Sequence, residues 1–161
     1  MNIVRAHSRS RGFTVIESMI VVAIIAILAA FAAPAMNQLI RTQKVRSIAY
    51  DIFADLTYAR SEAISRGHNV GIGSGSNNWI GGWQVRDLAT GAMLRQTGAQ
   101  ATGVTFTADS GGIIFDRTGR NTTGNVSFSI APTDAGAPDI QKRCIRLSPS
   151  GRPNSLVGPC P

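Results

Sequence analysis

A chain of 161 residues is long enough for one compact domain with an appendage, and its 17 glycines, 7 prolines and 6% aromatic residues describe a small, turn-rich fold rather than a large enzyme core. The net charge is +7, and its placement is uneven: Arg5, Arg9 and Arg11 stand in the first twelve residues with no acid, so the rest of the chain carries +4.

Behind that basic start, Phe13 to Ala33 forms an apolar run whose only polar side chains are Thr14, Glu17 and Ser18. As a helix it spans roughly 32 Å, enough to cross a hydrocarbon core. A cleaved secretory signal is the plain alternative. The run exceeds the usual apolar region of about 7–15 residues, no small-x-small cleavage site closes it, and the pattern continues into more helix. A simple signal anchor also fits these features. Glu17 separates the readings, because an acid inside an apolar span is rare and usually has a partner. Cleavage after Gly12 makes Phe13 the new N-terminus and Glu17 the fifth residue. The α-amino cation of a neighbouring subunit is then a natural partner for the carboxylate, and the pair would help set the stagger between subunits.

A basic leader ending in Gly12, then Phe13-Thr14-Val15-Ile16-Glu17, then a long apolar helix, resembles a type IV prepilin. The resemblance implies cutting between Gly12 and Phe13 by a prepilin peptidase, N-methylation of Phe13, a filament-assembly role for Glu17 and a helix kink at Pro34. Proline removes one helical hydrogen bond, which supports that kink independently. Positive charge before the apolar run places the N-terminus inside and the rest of the chain across the membrane.

Beyond Pro34 the apolar positions Ile40, Val45, Ile48, Ala49, Ile52, Phe53, Leu56, Ala59 and Ala63 recur at three- and four-residue spacing, one face of an amphipathic helix. Arg41, Lys44, Arg46, Asp51, Asp55, Arg60, Glu62 and Arg66 fall largely on the other side. Gly67 is the expected stop. A helix from Phe13 to Arg66 is about 80 Å long. Short strands are expected near Val70–Gly73, Trp79–Arg86, Met93–Thr97, Gly103–Thr107, Ile113–Arg117, Asn125–Ala131 and Lys142–Leu147. Turns are expected at Gly73–Asn78 and Thr118–Asn121. The fold class is α+β: a long N-terminal helix packed on a small antiparallel β head. The expected organisation is a leader over 1–12, a transmembrane or filament-core helix over 13–34, its amphipathic half over 35–66 and a β-rich head over 67–161.

In the head, "YARSEAISRGHNVGI", "WIGGWQV", "GIIFDRTGR" and "CIRLSPSGRPN" resemble, in order and spacing, the GspH/FimT group of minor pilins and pseudopilins. The group divides between type II secretion pseudopilins and type IV pilus minor pilins, some of which receive DNA in natural transformation.

No catalytic constellation is visible, and neither a cofactor nor a metal site is expected. His68 is the only histidine beyond the leader and sits at the helix exit. Trp79 and Trp83 suit a small sheet's core better than a base-stacking platform. Cys144 and Cys160 cannot form a zinc site alone. In an exported domain they read as a disulfide, and in a cytosolic one as two thiols. Lys142, Arg143, Arg146 and Arg152 follow the last acid, Asp139, and Arg117 and Arg120 flank another turn. On a strand, Lys142, Cys144 and Arg146 share one face, and Arg143, Ile145 and Leu147 the other. This basic set is either a solvated face or a phosphate-binding patch.

The resemblance favours the patch, because FimT-type DNA binders carry a C-terminal Gly-Arg-x-Arg motif. Gly151, Arg152 and Pro153 match it, while Asn154 stands where the second arginine would be. The expectation is therefore a pilus minor pilin binding extracellular double-stranded DNA through Lys142, Arg143, Arg146 and Arg152, with lesser roles for Arg117, Arg120 and Asn154. Its other partners would be filament subunits, the prepilin peptidase and an inner-membrane assembly platform, and its head would lie in the periplasm before filament assembly. The alternative is a secretion pseudopilin, or an assembly-priming pilin, with no nucleic-acid role.

Overall fold

The structure, a computed structural model, describes residues 12–74, 79–100, 102–134 and 136–161, without the side chains of 32–35. The expected leader up to Arg11 and positions 75–78 of the first expected turn lie outside the described residues, as does the side chain of Pro34, where a kink is expected.

One helix, α1, runs Val15–Arg66. Thr14 begins it, its Oγ1 accepting the Glu17 N–H at 3.2 Å as an N-cap does. Gly67, at φ +66°, ends it and donates its N–H to Ala63 O at 3.1 Å. The chain divides into two units, one up to Gln38 and one from Leu39 onward. In the first, every residue from Gly12 to Phe31 is exposed, including Phe13, Val15, Ile16, Ile20 and Leu28. Among the described residues no single helix is long and apolar enough to cross a membrane; Val15–Phe31 and Met36–Arg66 meet the length and composition for a span only as a bent pair.

The second unit is the head. Its strands are β1 (Val70–Gly73), β2 (Trp83–Asp87), β3 (Met93–Thr97), β4 (Val104–Ala108), β5 (Gly112–Phe115), β6 (Val126–Pro132), β7 (Arg143–Leu147) and β8 (Pro153–Val157). They form two four-stranded sheets, β3-β2-β1-β5 and β4-β6-β7-β8, with every pairing antiparallel. The α1 face Val45, Ile48, Ile52, Leu56, Ala59 and Ala63 is buried in the same core as the inward residues of both sheets. Alanines at 59 and 63 let the helix approach the strands closely. Each buried Ile or Leu on that face contributes about 1.5–3 kcal/mol relative to exposure.

The aromatic centre joins the sheets. Trp79 meets Phe128 edge-on with ring centres 4.9 Å apart, and Trp83 meets Phe106 edge-on at 5.7 Å. Both tryptophans are buried and their N–H groups are satisfied, Trp79 Nε1 by Ser110 O at 2.9 Å and Trp83 Nε1 by Asp55 Oδ2 at 2.8 Å. They are core residues, not a stacking platform.

Several details differ from the sequence reading, among them β5, which ends at Phe115 and leaves Arg117 in the turn, and β7, which begins at Arg143 and leaves out Lys142. The expected strand Trp79–Arg86 is a 3-10 turn over Trp79–Gly81 followed by β2. Gly82, at φ +102°, breaks it, and a Cβ there would strike the Thr97 carbonyl oxygen. Strand β8 was not expected. Asp55 is not on the solvent face: it is 4% exposed and also accepts from Thr97 Oγ1 at 2.7 Å and Arg95 Nη1 at 2.8 Å.

Candidate functional site

Strands β6, β7 and β8 lie side by side, in a register that places Ser127, Arg146 and Asn154 in one row across the sheet. Arg146 is the exposed position in the β7 burial pattern, between buried Ile145 and Leu147. The tight turn Ser148–Arg152 then reverses the chain into β8. Gly151 N–H donates to Ser148 O at 2.9 Å, and Gly151 takes φ +76°. Arg152 leaves this turn exposed. The result is a groove of about 360 Å³ lined by Arg146, Arg152, Asn154, Ser127, Ser148 and Ser150 among others, with no acidic side chain in its lining. Neither arginine forms an ion pair among the described residues.

The other expected basic residues go elsewhere. Arg143 lies on the opposite side of β7 from Arg146, facing α1, in a hollow with Arg46, Tyr50, Phe53 and Ser155. Its Nη1 donates to Ile140 O at 2.8 Å and Lys142 O at 2.7 Å. Burial, and then the like charge of Arg46, lower its pKa from the ordinary guanidinium value. Lys142 Nζ is 2.9 Å from Asp139 Oδ1. The side-chain alternation along β7 therefore divides the basic set, and the groove keeps Arg146 and Arg152.

Arg117 and Arg120 are exposed on the 116–121 turn. Asp116 organises it: its Oδ1 accepts from Thr118 Oγ1 at 2.6 Å, Thr118 N at 2.8 Å and Arg120 N at 3.0 Å. The Thr118 hydroxyl is the main cause holding this carboxyl below its ordinary pKa. Asn121 N–H donates to Pro149 O at 3.1 Å, so this turn adjoins the one bearing Arg152.

Cys144 and Cys160 are disulfide-bonded, 16 residues apart in sequence, with Cα atoms 5.1 Å apart. The bond ties the C-terminus to β7 and closes the loop that contains the groove turn. His68 follows the helix end and is exposed, its Nδ1 3.5 Å from Asp87 Oδ2. Among the described residues no group of three or more His, Cys, Asp or Glu is placed to hold a metal ion. The groove offers charge and hydrogen-bond donors to an anion.

A family model described as "Type II transport protein GspH" matches residues 49–151, from within the packing half of α1 through β7. The chain belongs to the GspH family. A second, "Prokaryotic N-terminal methylation motif", matches residues 7–33. Among GspH-family relatives, the type II secretion system protein H of Xanthomonas campestris pv. campestris is 32% identical over 123 residues, 74% of this chain and 72% of its own. The structure is similar to the type IV minor pilin FimU of Pseudomonas aeruginosa at 26% identity and a TM-score of 0.60, covering 73% of this chain and 90% of that one. It is also similar to the minor pseudopilin EpsH of the Vibrio cholerae type 2 secretion system, with a TM-score of 0.56 over 71% of this chain and 97% of that one. At 17% identity that likeness carries the fold alone. This GspH-family chain is thus a membrane-anchored pilin or pseudopilin of a structural family that assembles into filaments with other pilins.

Proposed function

We propose that the chain is a type IV pilus minor pilin that binds extracellular duplex DNA through the groove at Arg146 and Arg152. Processing comes first: a prepilin peptidase cuts between Gly12 and Phe13, and Phe13 is methylated. Glu17 then pairs with a neighbour's α-amine during assembly at an inner-membrane platform, and Pro34 bends the helix. The methylation-motif match over residues 7–33 and the exposed apolar helix support this part of the reading. Intact-mass measurement of the membrane-extracted protein is expected to show loss of Met1–Gly12 and one added methyl.

The observation that carries the DNA reading is the acid-free groove with two exposed arginines, neither ion-paired among the described residues, and a surround of hydroxyl and amide groups. That chemistry suits phosphate oxygens and offers little for reading base edges, so binding is indifferent to sequence. The test uses full-length protein in detergent and a fluorescent duplex. Arg152→Gln and Arg146→Gln each weaken binding, whereas Arg143→Gln, on the other face of β7, leaves it close to wild type. Equal losses at all three positions, or none at any, overturn the groove assignment.

A second reading is supported by the 32%-identical secretion relative: a type II secretion pseudopilin with the same processing and no nucleic-acid role. Under it, none of the three substitutions alters filament incorporation and the protein does not bind duplex.

A further inference from the structure

Three segments distant in sequence meet behind the groove. Arg60, half-buried on α1, donates Nε–H to Gly119 O at 2.9 Å. Gly119 takes φ +77° and lies so close to the helix that a Cβ there would fall 2.6 Å from Ile64 Cδ1 and 3.1 Å from Arg60 Nε. Gly151 is buried at φ +76°. A Cβ on it would collide with that same Gly119 oxygen and come within 3.2 Å of Arg60 Nε. Arg60, Gly119 and Gly151 thus form one stack, with no room for a side chain at Gly151 and a positive φ at Gly119 that disfavours one. The hydrogen bond from Asn121 N–H to Pro149 O holds the two turns together from the side.

We propose that Arg60 is the positioning residue of the groove. It holds the 116–121 turn to α1, and that turn seats Gly151, so Arg152 is presented at a fixed place beside Arg146. Arg117 and Arg120 are carried on the same braced turn, so one phosphate backbone meets both turns at a set separation. A ligand then binds without first having to order the turns, which reduces the entropic cost of association. Arg60 acts through backbone contacts and touches no phosphate. For its ligand this inference rests on the DNA reading of the groove; for its geometry it does not.

Two measurements on the full-length protein in detergent test it: duplex affinity across a salt series, and amide exchange of the DNA-free protein read by mass spectrometry. Arg60→Met is expected to weaken binding about threefold or more while leaving the log–log salt slope within about 0.3, since no phosphate contact is lost. It also speeds exchange over 116–121 and 148–152 but not in β1 or β6. Arg60→Lys, which keeps a cationic donor, restores part of both effects. Arg152→Gln instead reduces the slope by about 0.9 and leaves exchange unchanged.

Wild-type affinity in Arg60→Met overturns the proposal. So does a slope lowered by about 0.9, which would make Arg60 a phosphate contact itself. If Arg60→Met does not fold, Gly151→Ala and Arg60→Lys decide. Gly151→Ala must weaken binding at an unchanged slope, and an Arg60→Lys protein identical to wild type in exchange with a Gly151→Ala protein of full affinity overturns the proposal. If the wild type binds no duplex, the DNA reading fails separately. Exchange in the DNA-free variants then decides: faster exchange in the two turns supports the bracing role and unchanged exchange overturns it.

Discussion

Asp55→Ala is the substitution whose cost is best defined by the structure. The carboxylate accepts from Trp83 Nε1 at 2.8 Å, Thr97 Oγ1 at 2.7 Å and Arg95 Nη1 at 2.8 Å, and so ties α1 to β2 and β3. Truncation leaves the Trp83 N–H, on a side chain 1% exposed, without an acceptor, a penalty of about 1–3 kcal/mol. Thr97 loses a bond worth about 1 kcal/mol. Arg95 is 44% exposed and rehydrates, so its ion pair adds at most about 1 kcal/mol. The Arg95 guanidinium also lies 3.9 Å from the Tyr58 ring centre, a contact it retains. The expected loss is about 2–5 kcal/mol, a large part of the roughly 5–15 kcal/mol that holds a domain together. Urea unfolding of the full-length protein in detergent, followed by tryptophan emission, is expected to show the midpoint falling by about 1–3 M. Asp51→Ala is the control. Burial, and then the Asp55 charge, raise the Asp51 pKa, so the fold disfavours that carboxylate at neutral pH and its removal is expected not to lower the midpoint. An Asp55→Ala loss under about 1 kcal/mol, or equal losses for both aspartates, would refute the reasoning.

Reducing Cys144–Cys160 opens a loop of 16-residue separation and is expected to cost about 3 kcal/mol in the chain-entropy account, measured as the difference in urea midpoint with and without reductant. Asp116, whose pKa is lowered in the fold, contributes stability that is complete above the ordinary carboxylate range and is lost as pH falls through its folded value. The stability gap between wild type and Asp116→Asn is therefore expected to close between neutral pH and about pH 2, and a gap independent of pH contradicts the assignment. Glu17→Val is expected to be cleaved and methylated normally but to enter filaments poorly, and normal incorporation, scored by immunoblot of sheared filaments, would remove the pairing argument.

Local patterns carried much of this fold in the sequence. Gly67 marked the helix stop, the strand over Met93–Thr97 was placed to the residue, and the two cysteines were readable as a bond once the head was taken to be exported. Strand β8 was missed because Pro153, Asn154 and Ser155 are poor strand formers. They are tolerated there because β8 is an edge strand whose first residue is the proline. Asp55 was placed on the solvent face by its residue type. Its spacing, three after Ile52 and four before Ala59, marked it as a core-face position. The alternation along β7 already put Arg143 and Arg146 on opposite faces, so a single patch containing both conflicted with the strand geometry. The Arg60–Gly119–Gly151 stack had no sequence signature, since it depends on how closely two turns approach a helix.

The most direct test of the central claim is the salt dependence of duplex binding by the wild-type protein. Two groove arginines, joined by up to two more on the neighbouring turn, imply a log–log slope of about −1.8 to −3.6, with no preference among duplex sequences. No binding at low salt, or binding with a slope near zero, would contradict a phosphate-binding groove and leave the pseudopilin reading in its place.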